Sequence, residues 1–396
     1  MHKAVARFRI SKMTGFFIVI VLAMVGMVLF AAISRDTEYS TRSDLIHDAV
    51  VYVPGRVTEI VSESTALGAH GIRIGSQYLR IKILKGDLKG EEMEILNHLH
   101  AENSVWAKKG QILNIYLSYN LEDPSIFFAY VSTPERSYIN YMIILVFFVL
   151  IPLVGGKTGL RSVFALTFTF VSIIFLLIPL IVREWPPVLT TMGVSFVIST
   201  VTLVAILGFT KKTYISMIST VCGIVFCCAI YYIVSAVLLV NGYHAVNLDY
   251  MILVMSHTNM GIGDLLFCGI LISSLGGLTD IAVSVSSSVN EIYASRPDIS
   301  YDDLLRSSII VGRDNAASMA NTMVLAFAGT FFIALVTYRI SGTNYDAIIN
   351  SSDIAIEILR AVSATAALVI VAPITAMVAS RVYSQNTVAL EPPSPS

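Results

Sequence analysis

The hydrophobic pattern of this chain changes period twice. Residues 14–33 are an unbroken apolar run, preceded by Lys3, Arg7, Arg9 and Lys12 and followed by Arg35, Asp36 and Glu38. At about 20 residues it is long enough to cross the hydrocarbon core as a helix. A cleaved signal peptide is the competing reading, but its apolar region would be about 7 to 15 residues, shorter than this run. The bases on its leading side place the N-terminus in the cytoplasm.

From residue 36 to 136 the chain is polar and its apolar period drops to two. Leu79, Ile81 and Ile83 alternate with Arg80 and Lys82, and Met93 and Ile95 alternate with Glu92 and Glu94. The link Lys85-Gly86-Asp87-Leu88-Lys89-Gly90 between them reads as a hairpin turn. Further strands are expected at residues 50–60, 111–117 and 126–131. Short strands at this spacing predict a small antiparallel barrel or sandwich, of the OB type among the alternatives.

Seven more apolar segments follow, at residues 138–154, 162–182, 188–209, 214–239, 264–286, 316–338 and 354–378. Threaded alternately, they leave Lys157, Arg161, Lys211, Lys212, Arg296, Arg306, Arg313 and Arg381 on the cytoplasmic side, and only Arg183 and Arg339 in the short outer links. The expected fold class is therefore a membrane α-helical bundle of about eight transmembrane helices, with a small extracytoplasmic antiparallel β domain between spans one and two. The expected domains are residues 1–34 (cytoplasmic end and first helix), 35–137 (outer β domain), 138–383 (seven-helix domain) and 384–396 (disordered cytoplasmic tail). The stretch 247–257 is too short to span and is expected to lie at the outer interface or to re-enter.

Composition agrees with a bilayer as the solvent: 55% of the 396 residues are hydrophobic and 13% charged, against about 25% charged in soluble domains. A net charge of -1 leaves no basic surplus for a phosphate backbone, which argues against nucleic acid as a partner. The four cysteines, Cys222, Cys227, Cys228 and Cys268, all fall in apolar runs, so no disulfide framework or zinc spacing is expected.

The densest polar pattern is in the sixth span. Gly269, Ser273, Gly276, Asp280, Ser284, Ser287 and Glu291 recur at steps of four and three and share one helix face. Gly269, Ser273 and Gly276 are small enough for close helix packing. Asp280 costs a few kcal/mol at this depth unless partnered, protonated or hydrated, so it is expected to face the bundle interior or a water-filled cavity. The seventh span offers Asp314, Ser318 and Asn321 at i, i+4 and i+7, with Arg313 as a candidate counter-charge. The two stripes are expected to meet, either as an ion, proton or substrate path or as a polar seam between two helices.

Other motifs are weaker. Ser300 stands three before Asp303, a capping-box start to a short helix through Ser307. Glu357 and Arg360 suit an intrahelical ion pair. His98 and His100 could share a strand face, but no third metal ligand is identifiable. Gly261-Ile262-Gly263-Asp264 fits the GxGD pattern of intramembrane aspartyl proteases, which need two carboxylates sharing a proton. Asp264 and Asp280 on one helix would be about 24 Å apart, which defeats that pairing. No zinc helix, nucleophile elbow or phosphate loop is found. Neither catalytic residues nor a cofactor is expected.

The run Ser274-Leu-Gly-Gly-Leu-Thr-Asp280-Ile-Ala-Val-Ser284 with Asn290-Glu291, and Val311-Gly-Arg-Asp314 with Met319-Ala-Asn321-Thr322, carry a resemblance, as do Glu357-Ile-Leu-Arg360 and Ala372-Pro373-Ile-Thr375. They resemble the YibE/F-like membrane protein family, from whose pattern Ala316-Ala317-Ser318 is a mild departure. The resemblance implies a multi-span protein of the longer, domain-bearing kind. Because some relatives occur as a longer and a shorter pair, it also implies a homologous membrane partner, to which a homo-oligomer is the alternative. It implies no substrate. The expected function is a permease-like transporter with a polar pathway between spans six and seven. The alternatives are an assembly protein whose outer domain binds an envelope partner, and a membrane-embedded enzyme.

Overall fold

A computed structural model describes residues 13–32, 48–68, 73–86, 88–99, 105–120, 127–240 and 261–388. The stretch 247–257, His100 and the end of the tail lie outside them. Two compact units emerge, one formed by residues 33–153 and the other by 1–32 with 154–396.

The first unit holds five strands, β1 (Asp48–Leu67), β2 (Arg73–Ile83), β3 (Glu92–Leu99), β4 (Ile112–Asn120) and β5 (Phe127–Pro134). They form one antiparallel sheet in the order β3-β2-β1-β4-β5. The period-two reading holds: Leu79, Ile81, Ile83 and Ile95 are buried, and Arg80 ties outward-facing Glu59 and Glu94 together. Long β1 pairs with both β2 and β4, and its bulges around Val57–Glu59 and Ile60–Ser62 bend it. Edge strands β3 and β5 approach each other, so the sheet curls into a half-barrel. Gly55 is required where β1 crosses the core, since a Cβ there would lie 2.5 Å from the Ile81 side chain and 3.0 Å from that of Ile115.

Gln77 and Asn97 are fully buried in this domain, and both are satisfied. Asn97 donates to the Gln77 amide oxygen (3.2 Å) and to the Val105 carbonyl (2.8 Å), and Ala107 N–H donates to Gln77 (2.9 Å). Gln77 in turn donates to Glu63 (3.0 Å), which also accepts from Thr65 (2.7 Å) and the Trp106 indole (3.1 Å). These donors, led by the Thr65 hydroxyl, hold the Glu63 carboxyl below the ordinary glutamate value. The network pins residues 105–107 across β2 and β3.

Seven helices among the described residues are long and apolar enough to cross a membrane. The first is α1 (Met13–Ala32). The second run, 137–182, comprises α2 (Ser137–Ser172), a π turn at Ile173–Leu177 and α3 (Ile178–Val182). Its 46 residues would be about 69 Å of helix, more than twice the core. The backbone leaves helical geometry at Gly156 (φ 54°, ψ -132°), between the two spans expected at 138–154 and 162–182. The eight expected segments thus fall within seven helices, one of them broken. Next come α4 (Pro187–Leu207), α5 (Lys211–Leu238), α6 (Ile262–Ser295), α7 (Tyr301–Ile340), short α8 (Tyr345–Ile349) and α9 (Ser352–Val388).

Ser300 caps α7 as its spacing predicts, accepting from Asp303 N–H at 3.2 Å. The helix does not stop at Ser307 but runs unbroken to Ile340, because nothing in its sequence interrupts the backbone hydrogen bonds. Similarly, α9 continues through 384–388, the first residues of the segment expected to be disordered.

The helical core is organised around α6. It packs on α4, α5, α7 and α9, while α4 touches α5, α5 touches α9 and α9 touches α7. Hydroxyls and small residues make the closest of these contacts. Ser216 of α5 bonds Ser286 of α6 at 3.0 Å, Thr191 of α4 bonds Cys268 of α6 at 2.9 Å, and Ser380 of α9 bonds Ser308 of α7 at 3.2 Å. Ser308, Gly312 and Ala316 face Ala372, Ala376 and Ser380 in a small-residue seam.

Candidate functional site: the open face of α6

Four helices form an arc around α6, and α4 and α7 at its two ends are not packed together. Between them one face of α6 stays open. That face carries Gly269, Ser273, Gly276 and Asp280, all exposed within the chain, followed by half-buried Ser284 and Ser287 and exposed Glu291. A Cβ at Gly269 or Gly276 would meet nothing within 4 Å. The rest of α6 is among the most covered surfaces in the protein, with 61% of its apolar stretch buried against 6% for α7. The open face is thus local to the predicted stripe, and the close packing expected of Gly269, Ser273 and Gly276 is not made among the described residues.

A cavity of about 290 Å³ adjoins the middle of this face around Ser273 and Gly276, walled by α2, the π turn and α4. Thr169, Ser199, Thr202, Ser273 and Thr279 bring hydroxyls to it, Gly276 contributes its backbone, and Ile173 begins the π turn at its rim. Pro179, two residues beyond that turn, has no N–H to donate back along the helix, and the wider turn absorbs the loss. Ser199 and Thr279 bond backbone carbonyls of their own helices, whereas buried Thr202 Oγ1 has no hydrogen-bond partner among the described residues. Asp280 follows Thr279 in the chain and stands one turn from Gly276.

The second stripe is placed differently from the expectation. On α7 the buried positions are Leu304, Ser308, Gly312 and Ala316, which face α9. At about 100° per residue Asp314, Ser318 and Asn321 point the opposite way, and all three, with Arg313, are exposed. The stripes share a depth, since Met323 packs at Gly277 and Asp280 and Asn321 lie within about 5 Å of that level along their helices. They do not close a seam among the described residues. Among the described residues the side chains of Asp280, Asp314 and Arg313 make no hydrogen bond or ion pair. Glu291 has a partner, Lys212 at the start of α5, 3.7 Å away.

The family model of the YibE/F-like proteins matches residues 143–385. The chain belongs to the YibE/F-like protein family. No curated protein and no solved structure gives a match. The match covers α6, α7 and α9 in full or nearly so, and with them every residue of the two stripes. The β domain lies before it.

The remaining motifs have local structural settings. Asp264 sits in the first turn of α6, where the helix dipole favours an acid, and accepts from Tyr232 at 3.2 Å. Glu357 and Arg360 form the expected pair at 2.7 Å. His98 is exposed on β3, and no group of three metal-binding side chains occurs among the described residues. Sequence reasoning missed the hydroxyls of α4. Their signal was there, because Thr191, Ser195, Ser199 and Thr202 recur at steps of four and three, as the α6 stripe does.

Proposed function

We propose that this YibE/F-like protein is a permease-like transporter whose path runs along the open face of α6. One observation carries the reading: the best-packed span leaves uncovered the face that bears an acid. A carboxylate in the membrane is costly unless water, a cation or a partner meets it. Glycines that meet empty space leave room for a passing solute, and hydroxyls of Ser273, Thr279, Ser199 and Thr202 can replace part of its hydration shell. An acid with hydroxyls beside it suits a cation or proton.

The orientation that goes with this reading has both termini in the cytoplasm and residues 35–137 outside. The cyclic neighbour order of the curled sheet favours an OB-type Greek-key barrel for that domain. No catalytic role is proposed, and the GxGD segment acts as a helix start.

A second reading has one specific observation in its favour. Asp314, Ser318 and Asn321 turn away from the core, as they would if a second, homologous or identical, membrane subunit covered them. The chain would then serve assembly, with the outer domain holding an envelope partner.

Flux of protons and alkali cations into proteoliposomes, followed with entrapped dyes, tests the first reading. Asp280→Asn keeps volume and some hydrogen bonding, so it should cost about 1 kcal/mol or less in stability and should abolish flux at normal yield. Full flux in Asp280→Asn, with assembly lost in Gly276→Leu, would overturn the transport reading in favour of the second.

A further inference from the structure

We propose that α1 and the second half of α2 form a binding site for one anionic phospholipid. Away from the open face of α6, a cavity of about 630 Å³ lies between these helices, lined by Phe17 of α1 and by Leu160, Val163 and Phe164 of α2. Lys157 and Arg161 line its end. A shallower apolar groove continues from it along α1, past Phe17 to Ile18, Val21 and Leu22.

Two features select a lipid over a soluble anion. The apolar walls are long and laterally open, and two apolar grooves meeting at Phe17 suit a ligand with two chains. The cationic end is where a headgroup would stand, because Lys157 directly follows the break at Gly156 that ends the apolar run before it. Lys157 and Arg161 are one helical turn apart, on the same face as Phe164. No acid lines the cavity, and neither base has an ion-pair partner among the described residues.

The site is also built. Phe17 meets Phe164 edge-on with ring centroids 4.7 Å apart, and Phe16 meets Phe209 at 5.4 Å, which fixes α1 against the bundle. Ile20, one turn beyond Phe16, is buried in the same core. The two bases would read the phosphate charge while the phenylalanines and Leu160 hold the acyl chains.

Full-length protein in nonionic detergent, offered phosphatidylglycerol and phosphatidylcholine at equal concentration, tests this by native mass spectrometry. The wild type should retain one phosphatidylglycerol with a preference of roughly tenfold or more, and Lys157→Gln with Arg161→Gln should bring it to near parity. Lys211→Gln with Lys212→Gln, bases outside the cavity, should keep it. No preference in the wild type, or an undiminished one in the double variant, would overturn the proposal. So would displacement of the lipid by millimolar inorganic phosphate, which would mark a site for the free anion. If the double variant is not recovered folded, Arg161→Gln alone is read in the same way, and an unchanged preference there counts against the site.

Discussion

Ser380 of α9 donates to the Ser308 hydroxyl of α7 at 3.2 Å, one turn along from Gly312, which lies against the Ala372 backbone. The two helices meet along small side chains because lipid supplies no hydrophobic force between them, and close backbone approach is what holds them. The hydroxyl contact puts cysteines at positions 308 and 380 side by side. Mild oxidation of Ser308→Cys with Ser380→Cys should therefore give a compact, faster-migrating monomer on non-reducing gels. A mobility unchanged by oxidant would contradict the α7–α9 contact. Gly312→Leu should separate the helices and lower the yield of folded protein.

Gly223 of α5 lies tighter still. A Cβ there would be 2.5 Å from Val371 Cγ2 and 3.0 Å from Leu278 Cδ2, at the junction of α5, α6 and α9. Overpacking of a core of this kind costs about 1 to 3 kcal/mol. Gly223→Ala should lower the thermal midpoint of the detergent-solubilised protein, and Gly276→Ala, on the open face, should not. Equal midpoints for Gly223→Ala and the wild type would show that the junction is looser than the structure has it.

Acid should loosen the β domain through Glu63. Its carboxyl is held below the ordinary glutamate value by hydrogen bonds from Thr65, Gln77 and Trp106. A depressed folded value means that the stabilisation is complete above the unfolded value and is lost as pH falls through the folded one. Trp106 fluorescence in a Trp185→Phe background should report that transition on the acid side of about pH 4.3, the unperturbed glutamate value. In Glu63→Gln the transition should be smaller or gone. An identical acid profile for both proteins would remove Glu63 from the account.

The proposed sidedness rests on the distribution of bases. Lys85→Cys, at the β2–β3 turn, should react with an impermeant thiol reagent in intact cells, and Lys211→Cys, at the start of α5, should react only after permeabilisation. Labelling of Lys211→Cys in intact cells would invert the proposed orientation.

Read by themselves, the residues determined the solvent and the local elements. Runs of apolar residues near the length of a bilayer could only be spanning helices, because every backbone polar group must be satisfied within the segment. Alternation at Leu79, Ile81 and Ile83 could only be a half-buried strand, and Ser300 with Asp303 marked the first turn of α7. What the tertiary structure decided was which face each helix covers. In water the apolar face of a helix is its inner face, but lipid is as apolar as a core, so that rule loses its force in a membrane. Asp314, Ser318 and Asn321 therefore read as an inward stripe, although the small residues Ser308, Gly312 and Ala316 on the other side made the closer fit. The α6 stripe was legible as a set, while its standing open depended on α4 and α7 remaining apart. The order of the sheet was likewise a tertiary matter, since β1 pairs with β4 across more than fifty intervening positions and no local period records such a pairing.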